Sequence, residues 1–318
     1  MPCSPCACSA NPAPHSERIG DTTAKVRPAT GVALARDTGG RLRSDEGNTH
    51  VALSTIYPGG CQQRGGVPVV SRLGVGLLYP GFGAEDDFSA LESRLEGNLR
   101  LPLVHTSVGE DAHRVDALLD LGSGPRLAEG AEALRPYLPD SVLWACTSGS
   151  FVFGWEGARQ QADAIGERLG VPASSTSIAF VNAVRALGMS RVAVAASYPA
   201  DVARSFVEFL AAGEIEVTWM ESHGIATAKE VGLLDRADVV GMAQAADTSM
   251  AEALLIPDTA MHSLAWLDEL ERAAGIPVLT ANQVTIWEGC ALVGEPPRLD
   301  SLGTLFNPPG PARSRGER

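Results

Sequence analysis

The chain has 318 residues, 45% of them hydrophobic, and a net charge of −13. That length suits about two domains, and that charge argues against a nucleic-acid backbone or an anionic membrane as the main partner. No apolar run reaches the roughly 18–20 residues of a membrane span, and "MPCSPCACSANPAP" at the start lacks the continuous apolar core of a secretory signal. A cytoplasmic protein acting on small molecules is the expectation, with homo-oligomerisation left open.

Residues 1–68 are rich in Gly, Pro, Ser, Thr and Arg and show no sustained periodicity. They carry seven basic against five acidic side chains and read as a disordered N-terminal extension. Cys3, Cys6 and Cys8 crowd its beginning, but no second CxxC pair accompanies them, so no metal site is predicted there. From Arg72 the pattern changes: "RLGVGLLYP" is an apolar run of strand length closed by Pro80, "EDDFSALESRL" is helical and "LRLPLVHTSV" reads as a strand. A helix over "AHRVDALLDLGSGPRLAEGAEALRPYL" is interrupted near Gly122–Pro125. Then come strand "DSVLWAC", helix "GWEGARQQADAIGERLG", strand "VPASSTS" and helix "IAFVNAVRALG".

The series then restarts. "RVAVAASYP" is a strand, "ADVARSFVEFLAAG" a helix and "IEVTWMESHG" a strand. A helical region follows from Lys229 to Ala253, then strand "ALLIPD", helix "MHSLAWLDELERAAG", strand "IPVLTANQ" and helix "VTIWEGCALVG". Strands alternating with helices of this length predict an α/β fold of parallel sheets covered on both faces. The first half spans 69–188, the second 189–300, and 301–318 form a C-terminal tail. "RLGVGLLYP" (72–80) and "RVAVAASYP" (191–199) share Arg, Val, Tyr and Pro at the same offsets, which together with the repeated element order points to internal duplication. Overlaying the halves sets Cys146, after "VLWA", opposite Asp258, after "LLIP".

Both residues fall at the carboxyl end of a strand, where ligands bind in parallel α/β sheets. A following helix N-terminus would offer free N–H groups and lower the thiol pKa of Cys146. Thr147, Ser148 and Gly149 are small, so the backbone can approach a carboxylate or a developing enolate, and Thr259 and Ala260 repeat the scheme after Asp258. A plain helix-cap role for Asp258 is the competing assignment. Two acid/base groups on opposite faces of a carbon suit proton transfer next to a carboxylate. No P-loop and no GxGxxG after a strand accompanies them, so no cofactor is predicted. His262, one helical turn after Asp258, and His223 at a strand end are lesser candidates, most simply solvated or core histidines. His105 and His113 in "HTSVGEDAH" have the composition of metal ligands, without a metal being predicted.

"WACTSGSF", the Tyr-Pro after "RVAVAAS", the duplicated halves and "PVLTANQ" resemble the aspartate/glutamate racemase superfamily, in its branch of maleate cis-trans isomerases and arylmalonate decarboxylases, over about residues 70–295. The resemblance implies two Rossmann-like domains related by a pseudo-twofold axis, with a cofactor-independent site between them for small carboxylic acids. It also implies that Cys146 is the nucleophile, that Tyr198 binds a substrate carboxylate, and that Thr147 and Ser148 belong to the cradle after the cysteine. Two departures stand out. The family's second cysteine position is Asp258 here, whereas arylmalonate decarboxylases keep that cysteine and lack the first. "GFGAEDD" also stands where the isomerases carry an asparagine. The function expected is a maleate isomerase-like isomerase using Cys146 with Asp258 as opposing acid/base. Decarboxylation or racemisation are the alternatives, and a non-catalytic small-acid binding protein is the alternative of another class.

Overall fold

The computed structural model describes residues 72–308 except 82, 97 and 295. The predicted extension at 1–68 with Cys3, Cys6, Cys8 and Cys61, and the end of the predicted tail, lie outside the described residues. The first half runs β1 (Leu73–Tyr79), α1 (Glu85–Arg94), β2 (Leu99–Arg100), β3 (Leu103–His105), α2 (Val115–Leu121), α3 (Gly124–Leu134), β4 (Ser141–Trp144), α4 (Ser148–Phe151), α5 (Gly154–Leu169), β5 (Ala173–Ser175) and α6 (Thr176–Ala186). The second runs β6 (Arg191–Ala196), α7 (Ala200–Ala212), β7 (Glu216–Ser222), α8 (Ala228–Val231), α9 (Arg236–Ala245), β8 (Ala253–Ile256), α10 (Leu267–Ala274), β9 (Val278–Thr280), α11 (Ala281–Ala291) and a last turn α12 (Gly303–Phe306).

Two parallel sheets result, ordered β2–β1–β4–β5, with β3 also pairing β1, and β7–β6–β8–β9. The central strands "SVLW" and "ALLI" are buried throughout, as expected of strands covered on both faces. The order within each sheet is the same once β2 and β3 are counted as one strand. They form a single broken strand because Pro102 has no N–H to donate; its carbonyl still accepts from Leu77 N–H at 2.8 Å. Cys146 and Asp258 each sit two residues beyond the third strand of their sheet.

Several boundaries differ from the sequence expectation. The helix expected over "MHSLAWLDELERAAG" begins only at Leu267, because residues 257–266 form an open turn whose N–H groups are used by side chains. The helix after β9 begins earlier than expected, at Ala281. There Thr280 and Gln283 form a capping box, each side chain bonded to the other's backbone N–H. The helical region expected from Lys229 to Ala253 resolves into α8 and α9, with residues 246–252 irregular.

The terminal helices tie the halves together. α11 lies beside α6 and covers β1 and β4 of the first sheet. Gly289 of α11 is forced by this approach, since a Cβ there would overlap Val75, and its carbonyl accepts from Ser141 Oγ at 2.7 Å. α6 in turn reaches α7 through Phe180, whose ring meets Phe206 edge-on at 5.5 Å.

Candidate active site

β4 and the turn after it carry Cys146 into a narrow cavity at the carboxyl end of the first sheet, and β8 brings Asp258 to the same cavity. Ser148, Thr259 and Ala260 line it too. Of the other expected residues, Thr147, Gly149 and Tyr198 lie one layer behind the wall: Gly149 N–H donates to Cys146 Sγ at 3.3 Å, and the Thr147 and Ser148 hydroxyls face the Tyr198 phenol. Thr147 Oγ1 is buried and completes no hydrogen bond. Among the described residues, no Lys or Arg lines the cavity. A bound carboxylate would therefore depend on hydroxyls and backbone N–H groups.

The thiol is not the low-pKa group that a helix N-terminus suggests. Burial pushes Cys146 up to about 12, and the Asp258 charge adds to the rise. The Gly149 N–H, the Ser148 hydroxyl and the Ser148 N–H pull against it. α4 is one short turn, so its dipole is small. Asp258 is likewise held above the usual carboxylate range by burial, opposed by His113, the Ser197 hydroxyl and the Ala260 N–H. It does not cap a helix, since none begins until Leu267. Its Oδ2 accepts from Ser197 Oγ at 2.5 Å and its Oδ1 from Ala260 N–H at 3.0 Å, so the Ala260 amide is already engaged.

Two residues that the sequence reading left outside the site belong to its architecture. His113 is buried and lines the cavity. Its Nδ1 lies 2.8 Å from the Ile225 carbonyl, its backbone N–H donates to the Ala226 carbonyl at 2.7 Å, and its Nε2 is 3.9 Å from Asp258 Oδ2. Tyr79 donates through its hydroxyl to the Thr259 carbonyl and accepts from Ala84 N–H, each at 3.0 Å, so it joins the loop after β1 to the Asp258 turn. Gly83 in that loop packs so closely that a Cβ would overlap the Ala260 backbone. Within "HTSVGEDAH" it is His113 that lines the cavity, held by the Ile225 and Ala226 carbonyls. The repeat itself pointed to Tyr79, the counterpart of Tyr198.

The two histidines at helix and strand ends, His262 and His223, are elsewhere. His262 Nε2 pairs with Asp86 Oδ1 at 2.7 Å rather than with Asp258. His223 lies 3.9 Å from Glu221 and does not line the cavity. The "EDD" that departs from the isomerase pattern has a structural task. Asp87 Oδ2 accepts from Ser263 and Leu264 N–H at 2.8 and 3.1 Å and from Asn282 Nδ2 at 3.3 Å, pinning the Asp258 turn across the cleft. A larger groove of about 490 Å³ runs between α3 and α5. Among the described residues its one ionisable group is Arg168, which is paired with Glu132.

The arylmalonate decarboxylase family model matches residues 124–306, more than half of the chain, and the chain belongs to that family. It is 30% identical over 133 residues to an arylmalonate decarboxylase of Bordetella bronchiseptica, covering 41% of this chain and 55% of that protein. It is 31% identical over 149 residues to a maleate isomerase of Nocardia farcinica (strain IFM 10152), covering 45% and 59%. The chain thus spans somewhat more than half the length of the curated relatives it matches. A liganded arylmalonate decarboxylase, with one glycine replaced by cysteine and one cysteine by serine, superposes with a TM-score of 0.65 at 25% identity, over 74% of this chain and 99% of that one.

Proposed function

We propose that this protein is a cofactor-independent isomerase of a small carboxylic or dicarboxylic acid, with Cys146 as nucleophile and Asp258 as the opposing acid/base group. The observation that carries the reading is that two different strand ends, at equivalent places in the two sheets, deliver a thiol and a carboxyl to one cavity. Its support from relatives is the maleate isomerase and arylmalonate decarboxylase similarity. The Ser148 hydroxyl and the N–H groups of the α4 turn would hold one carboxylate, with Thr147, Gly149 and Tyr198 fixing that turn from behind. The Thr259 segment would face the opposite side of the substrate. In this mechanism the Cys146 S–H gives up its proton as sulfur bonds to one alkene carbon. The π pair becomes an enediolate on its neighbour and takes up a proton. Rotation about the new single bond, loss of that proton and departure of sulfur then give the trans acid.

A second reading, decarboxylation, draws on the apolar wall of Pro80, Val108, Leu118 and Leu121, which suits a substituted malonate. Among the described residues Cys146 and Cys290 are unpaired thiols, which fits the cytoplasm, where disulfides are rare. Proton NMR in D₂O with maleate, phenylmalonate and α-amino or α-hydroxy acids separates the activities. We expect maleate to become fumarate, and Cys146→Ala to abolish it. CO₂ loss would point to decarboxylation and α-deuteration without net change to racemisation. Full turnover by Cys146→Ala would sink the nucleophile assignment. Ligand-induced stabilisation with no chemistry and no deuterium uptake would make the protein a binding module.

A further inference from the structure

We propose that His113, in place of Asp258, is the proton carrier of this site, moving the proton through Nε2, and that Asp258 serves as the charge opposite the ring. Geometry makes the argument. The Ile225 carbonyl can only accept a hydrogen bond, so Nδ1, 2.8 Å from it, carries hydrogen in either protonation state, and the lone pair of the neutral ring is on Nε2. The backbone bond to Ala226 and the edge-on packing against Tyr198 at 5.0 Å fix the ring. Nε2 is therefore held toward Asp258 Oδ2, at 3.9 Å, within the cavity that Cys146 also lines. That separation is too long for a hydrogen bond, and a water or substrate atom lying to one side can reach both groups.

The other ionisable groups near the ring are accounted for. Asp111 is spent on the N–H groups of Ala228 and Lys229, at 2.9 and 3.2 Å, and Glu110 is paired with Arg114. Tyr198 and Cys146 are both held in their neutral forms by burial. A neutral thiol cannot attack without a base, and a carboxyl already held by Ser197 and Ala260 is poorly placed to supply one alone.

The proton balance closes on this one ring. Nε2 takes the Cys146 proton as the S–C bond forms. The imidazolium passes it to the enediolate carbon. After rotation the same proton returns to Nε2, the C–H pair restores the double bond, and sulfur leaves with the S–C pair. The imidazolium then reprotonates the thiolate, so no oxidant or second reactant is consumed. Asp258 stabilises the imidazolium while it exists.

The kinetic part of this proposal rests on the isomerase reading; the tautomer does not. His113→Asn keeps an N–H donor where Nδ1 stands and removes Nε2, whereas His113→Gln keeps a nitrogen near Nε2 and gives up the Ile225 bond. If Nε2 carries the proton, both variants lose about 100-fold or more in kcat on maleate, with KM changed little. If the ring only anchors its segment, His113→Asn keeps wild-type kcat, and that result overturns the proposal. Inactivity of Cys146→Ala beside a fully active His113→Asn would leave the isomerase reading standing without it. Should maleate not turn over at all, ¹⁵N NMR of the imidazole decides: the neutral ring is expected as the Nδ1–H tautomer, and an Nε2–H tautomer overturns the assignment.

Discussion

Ser197 shows how one hydroxyl conditions the site. Its Oγ is 2.5 Å from Asp258 Oδ2, both groups are buried, and its bond favours the charged carboxylate. Ser197→Ala is expected to cost about 1–3 kcal/mol, with the larger loss at pH 8 and the smaller at pH 4, because protonation of the carboxyl weakens the bond that the hydroxyl donates. Denaturant titration at the two pH values checks this. Single residues were also where the sequence was most uneven as a guide. Cys146 was legible because a small-residue cluster follows an apolar strand. Asp258 was legible only through the repeat. His113 was not, because its ring is oriented by a carbonyl 112 positions away in the chain, and no local pattern encodes such a pairing. The thiol's acidity was misjudged for a related reason, since helix dipoles can be read from sequence and burial at a cleft cannot.

At the level of elements, α2, α4 and α5 meet at a single amide. Gln161 of α5 donates through Nε2 to the carbonyls of Gly122, at 2.7 Å, and Gly149, at 3.0 Å. It thereby holds the end of α2 against the turn that presents Cys146. Gly122 is required here, because a Cβ would overlap the Gly149 carbonyl oxygen. Gln161→Met keeps the side-chain volume and leaves two buried carbonyls without their donor. We expect a loss of about 1–3 kcal/mol together with faster alkylation of Cys146 by iodoacetamide, because the turn loosens. Slower or unchanged alkylation would show that Gln161 does not restrain it. Element order and sheet class followed from alternating strand and helix patterns. The open turn at 257–266 did not, because its amphipathic spacing imitates a helix while Asp87 and Asp258 claim its N–H groups.

Across the whole molecule, buried acids set how stability responds to pH. Burial raises Asp87, Asp258 and Glu288. A carboxyl with a raised folded-state pKa binds its proton more tightly folded than unfolded. Its contribution is fully present below the unfolded value near 4 and is lost as pH rises through the folded one. Glu288 is a clean test, since its Oε1 accepts from Ser174 Oγ at 2.9 Å and Asn182 Nδ2 at 2.8 Å, bonds a glutamine oxygen can keep. Glu288→Gln is expected to raise Tm at pH 8 and leave it nearly unchanged at pH 4, as measured by thermal melts. A gain confined to acid pH would contradict the assignment.

The crossing of α11 onto the first sheet carries a consequence for ancestry. Without that helix, Val75 and Leu143 would face water, so a half-length forebear with the same strands would need its sheet covered by a helix from another copy. A second copy lending its last helix would supply that cover, and the cleft between the two copies would carry the same residue on each wall. Fusion of the two genes is what would free the walls to differ, one keeping a thiol and the other a carboxyl.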